Sequence, residues 1–258
     1  INILIMKILI SPSKTLNFDD YNTLGNPTDC RLLNHTSELH KILTKYSINE
    51  IKNLMKVSDK IAELNFNRFK TWENPAKSSI SKQAIFAFKG DVYSGLDVDT
   101  IDKNKFEYMQ NNLRIISGFY GLLRPFDKIL PYRLEMGTKL KNSRGKNLYD
   151  FWGDNITQLL NNDIQNKNEY VINLASNEYF KSIITKKLNN NIITPSFKEF
   201  KNGSYKTIAI YAKKARGMMS RFIIENKLED IKGLKTFKSE GYTFDENLSD
   251  SLNYTFVR

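Results

Sequence analysis

The chain has 258 residues, of which 40% are hydrophobic and 26% are charged, and this balance excludes a disordered or fibrous protein. The formal net charge of +11 and the pI of about 9.4 favour an anionic partner such as nucleic acid, although abundant Lys, Asn and Ile are also typical of AT-rich genes. The single cysteine, Cys30, excludes an intrachain disulfide framework and a two-cysteine peroxidase cycle.

The N-terminal region is predicted to begin with a short buried strand over residues 7–10. A polar loop, residues 11–15, follows it and could hold an anion, but it lacks the glycines of a P-loop. Met6 has the position of a natural start, so residues 1–5 are expected to be a non-native extension and residues 6–258 a single domain. The apolar run over residues 1–10 is too short to span a bilayer, and we expect a cytoplasmic protein without a membrane partner.

The middle of the chain is predicted to be mainly helical. Helices are expected over residues 32–46, then from the capping box Ser47-x-x-Glu50 to about residue 69, and over residues 99–116 and 146–160. Residues 84–88 are predicted to form a strand, and residues 75–81 a linker.

The C-terminal third alternates between strands and helices. A strand over residues 171–174 precedes Ser176, which could cap a helix that ends near residue 188. Strands over residues 192–200 and 204–211 are expected to pair through an Asn202-Gly203 turn, before a basic helix over 212–226. The aromatic tail, residues 241–258, is expected to close the sheet. The order of elements predicts a single α/β domain with a mixed sheet flanked by helices.

The stretch over residues 114–137 combines residue types that ordinary core packing does not require. It carries Arg114, Arg124 and Arg133 among glycines, prolines and aromatics, although the chain has few arginines. Glycine permits close backbone approach, and the arginine fork matches phosphate or carboxylate. The sequence therefore predicts either an anion site here or a loop held by salt bridges.

The basic helix places four cations near its start: Lys213, Lys214, Arg216 and Arg221. Positive charge at a helix N-terminus opposes the helix dipole, so a bound phosphate backbone would explain it. A solvated face with Glu225 as the partner is the alternative.

Polar groups also follow several predicted strands, where ligands collect in α/β sheets. If these ends converge, Lys14, Lys89, Arg133 and Lys213 supply cations. The acids would be Asp91, Glu135 and Glu178, and Asp91 or Glu178 is a candidate general base of an enzyme. Alternatively, the acids cap helices or pair with the cations. Tyr93, Tyr120 and Trp152 could stack on bases or belong to the core.

Seven collinear segments resemble the YaaA peroxide-stress-response family of bacteria. These are residues 7–15 (KILISPSKT), 86–96 (FAFKGDVYSGL), 117–137, 145–154 (GKNLYDFWGD), 171–181 (VINLASNEYFK), 211–226 (YAKKARGMMSRFIIEN) and 239–246. The resemblance covers nearly the whole chain. It implies a cytoplasmic α/β protein of unusual topology that limits unincorporated iron under hydrogen peroxide, and that binds DNA in a positively charged cleft.

The resemblance also implies a DNA-binding helix-hairpin-helix element, which maps onto residues 48–69 with its turn at residues 61–65. Glu63 stands there where glycine is expected, and its carboxylate would repel a phosphate. This departure moves the predicted DNA contacts to Arg124, Arg133, Lys213, Lys214, Arg216 and Arg221. The cations of the hairpin itself, Lys56, Lys60 and Arg68, could still contribute.

The resulting expectation is a non-enzymatic protein that binds DNA mainly through phosphates, with weak sequence preference. An enzyme acting on a nucleotide, nucleobase or damaged DNA in the same cleft is the alternative, and an iron-linked sensor is a third. No cofactor or metal is expected, because His35 and His40 are five residues apart and no ferritin-like ligand set is visible.

Overall fold

The computed structural model describes residues 6–19, 25–164, 166 and 168–258, so the expected extension at residues 1–5 lies outside the described residues. The helices are α1 Leu33–Leu43, α2 Ile48–Met55, α3 Asp59–Thr71, α4 Ala84–Ala87, α5 Asp91–Leu96, α6 Phe106–Asn112, α7 Leu148–Trp152, α8 Asn155–Asp163, α9 Asn177–Phe180 and α10 Ala209–Asn226. The strands are β1 Met6–Ile10, β2 Thr15–Leu16, β3 Lys82–Gln83, β4 Phe88–Lys89, β5 Leu113–Ser117, β6 Gly121–Leu123, β7 Lys128–Ile129, β8 Tyr170–Leu174, β9 Asn191–Lys201, β10 Ser204–Lys206, β11 Thr243–Asp245 and β12 Asn253–Val257.

A mixed sheet forms the centre of the molecule, with the strand order β11-β12-β9-β8-β1-β5-β6 and with β10 paired to β9. The five strands from β12 to β5 are parallel, whereas β6, β10 and β11 are antiparallel to their neighbours. Every residue of β1 is buried, as expected for a continuous apolar strand covered on both faces. The prediction of a single α/β domain with a mixed sheet flanked by helices is confirmed.

The register brings the ends of three parallel strands together. Ile10 of β1 pairs with Leu174 of β8 and with Ile115 of β5. The residues that follow these strands, including Ser11 and Ser176, therefore emerge on one side of the sheet. We call this side the carboxyl edge.

Two predictions in the middle of the chain were wrong. Residues 84–87 form the short helix α4, whose first amide groups donate hydrogen bonds to backbone carbonyl groups of Pro125 and Asp127. The predicted helix over residues 99–116 ends at Asn112, and residues 113–117 are the buried strand β5 between β1 and β6. Because residues 113–117 form hydrogen bonds with strands on both sides, they adopt a strand although their sequence pattern also fits a helix.

Three further boundaries differ from the prediction. The helix over residues 146–160 is divided at Gly153, which has φ +50°. The helix after Ser176 ends at Phe180, and β10 ends at Lys206 because α10 begins at Ala209. The Asn202-Gly203 turn is present, with positive φ at both residues as a tight hairpin requires, and β12 extends the sheet as expected.

Helices α2 and α3 form a helical pair, but its turn lies at residues 56–58 rather than at residues 61–65. Lys56 adopts the left-handed conformation that ends α2, and Ser58 caps α3. Glu63 is an exposed residue inside α3, so it does not occupy a turn position. The capping box of Ser47 and Glu50 is confirmed. In the part of the chain described here, no helix is both long enough and apolar enough to cross a membrane.

Candidate functional site

Hydrogen bonds tie three elements together at the carboxyl edge. The backbone N–H of Ser176 donates to Oγ of Ser11 at 2.9 Å, which joins the ends of β8 and β1. The hydroxyl of Tyr93 in α5 donates to the carbonyl oxygen of Ser11 at 3.1 Å. Helix α5 is thereby fixed beside the end of β1.

Glu135 lies at this edge between two of the predicted cations. Its carboxylate contacts Nζ of Lys14 at 2.6 Å and Nη2 of Arg133 at 3.1 Å. Nearby, the backbone N–H of Gly137 donates to Oε1 of Glu178 at 2.9 Å. The structure thus brings four predicted site residues together, Lys14, Arg133, Glu135 and Glu178, but as internally paired groups.

A cavity of about 590 Å³ opens beside Glu135 and Glu178. One wall is α2 with the residues at its ends, and the other is the segment 135–139. Its lining includes Tyr46, Leu54, Met55, Lys56 and Lys139. The volume falls within the range of small-molecule sites, and the walls combine apolar surface with both signs of charge. Asp91, the other predicted general base, is outside this lining; it occupies the first turn of α5.

Most of the predicted anion-binding cations are engaged in ion pairs with nearby acids. Besides Lys14 and Arg133, these are Lys89 with Asp99 at 3.6 Å, Arg124 with Asp127 at 2.8 Å, Lys214 with Glu240 at 2.5 Å and Arg221 with Glu225 at 2.6 Å. The positive charge of these six side chains is therefore largely compensated within the protein.

Lys213 and Arg216 differ from the other six. Across the described ranges, neither side chain is within ion-pair distance of a carboxylate, whereas the other six all are. Lys213 is exposed and Arg216 is partly buried, and burial lowers the pKa of the Arg216 guanidinium. A partly desolvated cation without an anion is energetically unfavourable.

The first half of α10, which carries both residues, lies against α5. A Cβ atom on Gly95 would come within 2.1 Å of the carbonyl oxygen of Lys214, so the two backbones are in direct contact. Because Tyr93 fixes α5 to the end of β1, Lys213 and Arg216 lie near the carboxyl edge.

Arg124 does not lie at the carboxyl edge. In the antiparallel pair of β5 and β6, Leu123 is opposite Ile115, so Arg124 extends toward the start of β5. Its guanidinium donates to the backbone carbonyl of Asp29 at 3.0 Å. The structure therefore does not join Arg124 to Arg133, Lys213 and Arg216 in one cleft.

Comparison with known proteins identifies a family that covers nearly the whole chain. Residues 6–248 match the family described as Peroxide stress protein YaaA. The chain belongs to this family. A UPF0246 protein of Shewanella sp. (strain ANA-3) is 50% identical over 254 residues, which cover 98% of this chain and 99% of the relative. A UPF0246 protein of Shewanella baltica (strain OS195) is 49% identical with the same coverage.

In this YaaA-family member, the cations of the helical pair lie in different environments. Lys56 lines the cavity, and Lys60 is exposed in the first turn of α3. Arg68 is partly buried, burial lowers the pKa of its guanidinium, and its nearest hydrogen-bond partner is Oδ1 of Asn65 at 3.5 Å. The three cations therefore differ in their exposure to solvent, and Arg68 is less accessible than the two lysines.

The aromatic residues predicted for base stacking are buried. Tyr120 and Trp152 are fully enclosed, and Nε1 of Trp152 donates to the carbonyl oxygen of Gly118 at 3.0 Å. Tyr93 is also buried, and burial raises the pKa of its hydroxyl well above the usual value. In the described part of the chain, the exposed large aromatics are Phe200, Tyr205 and Tyr211, and a paired-strand pattern over residues 192–211 does not reveal which side chains face solvent.

Proposed function

We propose that this peroxide stress protein binds DNA through its phosphate groups, at a cationic surface centred on Lys213 and Arg216. The observation that carries the proposal is the partly buried Arg216, which is desolvated without an acidic partner in the described chain. A phosphate would provide the missing negative charge, and the guanidinium fork matches its geometry.

The position of these residues supports the same interpretation. Because α10 begins at Ala209, both residues lie beyond its first turn and outside the reach of the helix dipole, and the single acid of this helix, Glu225, pairs with Arg221 instead. The net charge of +11 adds a long-range attraction for a polyanion. Phosphate contacts carry no sequence information, so we expect weak sequence preference.

Charge reversal tests the proposal directly. Lys213→Glu and Arg216→Glu should each weaken duplex binding at least about tenfold, and the wild-type affinity should fall with salt at a log–log slope of about 0.9 for each phosphate contacted. Lys103→Glu is the matched control, because Lys103 is exposed in the turn that precedes α6 and is not part of α10. Equal effects of all three variants, or an affinity that does not change with salt, would reject the Lys213–Arg216 surface.

We further propose that DNA binding belongs to a cellular role in limiting unincorporated iron and oxidative DNA damage during peroxide stress. The description of the family as peroxide stress proteins supports a role in peroxide stress, and we take the effect on iron to be indirect. Cells that carry the Arg216→Glu variant should then show more peroxide-induced strand breaks than cells with Lys103→Glu. Chelatable iron, measured by electron paramagnetic resonance, distinguishes the two effects: if DNA is damaged while iron stays normal, the iron role does not depend on this surface.

The cavity favours a second candidate function, an enzyme that acts on a nucleotide, nucleobase or damaged DNA. Glu178 borders the cavity and would serve as the general base, with Lys56 and Lys139 as cations for a phosphate. Incubation with nucleotides and with oligonucleotides that contain oxidised bases, followed by chromatography, tests for product. Glu178→Gln should abolish any turnover. If the wild type forms no product, the enzyme hypothesis is rejected and only the binding function remains.

A further inference from the structure

The hairpin of β9 and β10 presents two aromatic rings to solvent. Phe200 and Tyr205 are directly opposite each other in the antiparallel register, and their ring centroids are 5.3 Å apart. The side chains therefore share one face of the two-stranded ribbon. Phe200 is 61% exposed and Tyr205 is 41% exposed, so neither ring is covered by the core. We call residues 198–206 the aromatic hairpin.

Exposed apolar surface is concentrated around this hairpin. Eight large hydrophobic residues are exposed in the described part of the chain, and four of them lie between residues 200 and 211; besides the hairpin pair, these are Ile210 and Tyr211. A cross-strand aromatic pair stabilises a hairpin by itself, but this stabilisation does not require rings open to water. Clustered exposed aromatics are typical of an interaction surface.

The charge of the aromatic hairpin indicates the kind of partner. Lys198 lies on the same face of the ribbon as the rings, whereas strand alternation places Lys201 and Lys206 on the opposite face. Glu199 is its only acid, and the carboxylate of Glu199 is held by Nε of Arg258 at 2.8 Å. Within the hairpin, the face with the rings thus carries one lysine and no acid, which disfavours a second copy of the same hairpin and favours a partner with flat faces and negative charge.

We infer that the aromatic hairpin binds single-stranded DNA by stacking unpaired bases on Phe200 and Tyr205, while Lys198 on the same face contacts a phosphate. Stacking of bases on aromatic side chains beside a cationic track is the general mode of sequence-tolerant single-strand binding. Duplex bases are already stacked on one another, so the rings add little to duplex affinity. The inference rests on the proposed DNA-binding function and assigns a preferred DNA form to one part of the surface.

The test uses the full chain and two probes of equal length, a fluorescent oligo(dT) strand and a fluorescent duplex. Phe200→Ala and Tyr205→Ala should each weaken oligo(dT) binding by about tenfold, within the range measured for loss of one stacked base. Binding to the duplex should change less than about twofold. Tyr205→Phe retains the ring and should bind oligo(dT) like the wild type. Ile80→Ala is the control for removal of an exposed apolar side chain, since Ile80 is 52% exposed in a different loop.

The outcomes separate the inference from the proposed function. Equal losses on both probes, or no loss on either, overturn stacking by the hairpin. Wild-type binding to the duplex without binding to oligo(dT) overturns this inference but leaves the proposed function intact, whereas binding to neither probe overturns both. Sedimentation of the wild type and Phe200→Ala gives a further check, because a dimer that is lost in the variant would assign the rings to self-association.

Discussion

Gly217 in α10 lies directly against the carbonyl oxygen of Val92 in α5, so closely that a Cβ atom on Gly217 would be 1.9 Å from this oxygen. Gly95 of α5 makes the reciprocal contact with the backbone of Lys214. Two glycines thus allow these helices to touch through their backbones. This contact fixes the helix that carries Lys213 and Arg216 beside the end of β1.

Substitution of Gly217 by alanine should therefore disrupt this packing. Because the obstacle is backbone rather than a flexible side chain, we expect Gly217→Ala to destabilise the fold by about 1–3 kcal/mol, as overpacked cores do. Urea unfolding measures the loss. Gly233→Ala is the control: a Cβ there meets only the end of the Leu228 side chain, at 3.0 Å, and should cost less than about 1 kcal/mol. Similar losses for both variants would refute the backbone contact.

The ion pairs of Glu135 lead to a prediction about DNA affinity. Glu135→Gln removes the negative charge that compensates Lys14 and Arg133. If the carboxyl edge faces DNA, the two released cations should tighten duplex binding and increase the log–log salt slope by about 1–2. Binding measured between low and moderate salt gives both quantities. Glu225→Gln is the control, because Arg221 keeps a second acid, Asp97, at 3.4 Å. An unchanged slope in Glu135→Gln would place Lys14 and Arg133 away from the DNA.

The sequence was sufficient to predict the strands at the centre of the sheet. Residues 7–10 and 171–174 are mainly apolar segments followed by polar loops, and both are buried parallel strands. Residues 113–117 have an apolar pattern that also fits a helix, and only the pairing with β1 and β6 makes them a strand. The family could also be assigned from the sequence alone, because its motifs are long and collinear.

The electrostatics of the candidate site could not be predicted in the same way. The partners of Lys14 and Lys214 are Glu135 and Glu240, and the first of these pairs is separated by more than 100 residues. A formal charge of +11 does not say which cations are compensated. Arg216 is partly buried without an acid around it in the described chain, and such a property depends on the fold.

The environment of Cys30 predicts an unreactive thiol. Burial raises the pKa of the Cys30 thiol well above its ordinary value, the nearby Asp127 and Asp29 raise it further, and Sγ donates to the carbonyl oxygen of Lys128 at 3.1 Å. Since the thiolate is the reactive form, iodoacetamide at pH 8 should label the native protein at least about 100-fold more slowly than the urea-unfolded protein. Mass spectrometry after treatment with hydrogen peroxide should find Cys30 unoxidised. Rapid oxidation in the native state would instead identify Cys30 as a peroxide sensor.

The buried carboxylate of Asp163 predicts how stability depends on pH. Nε of Arg114 contacts Asp163 Oδ2 at 2.6 Å, and Nη2 of Arg31 contacts the same oxygen at 3.0 Å. Burial alone would raise the pKa of Asp163, but the hydrogen bonds and charges of the two arginines outweigh it, so the pKa of the folded state lies below the usual value.

Asp163→Asn should therefore destabilise the protein by about 3–5 kcal/mol at neutral pH, because it leaves the buried Arg114 without its partner. The contribution of Asp163 is fully present above the unfolded-state pKa of about 3.9 and is lost as the pH falls through the lower folded-state pKa. Urea unfolding of both proteins at pH 7, 5 and 3 should show a difference that shrinks only at the lowest pH. Lys187→Ala, which removes an exposed ion pair with Asp154, should have a much smaller effect on stability than Asp163→Asn at pH 7. A difference between wild type and Asp163→Asn that stays constant down to pH 3 would mean that folding does not lower the pKa of Asp163, and it would refute the stabilisation of its charge by the two arginines.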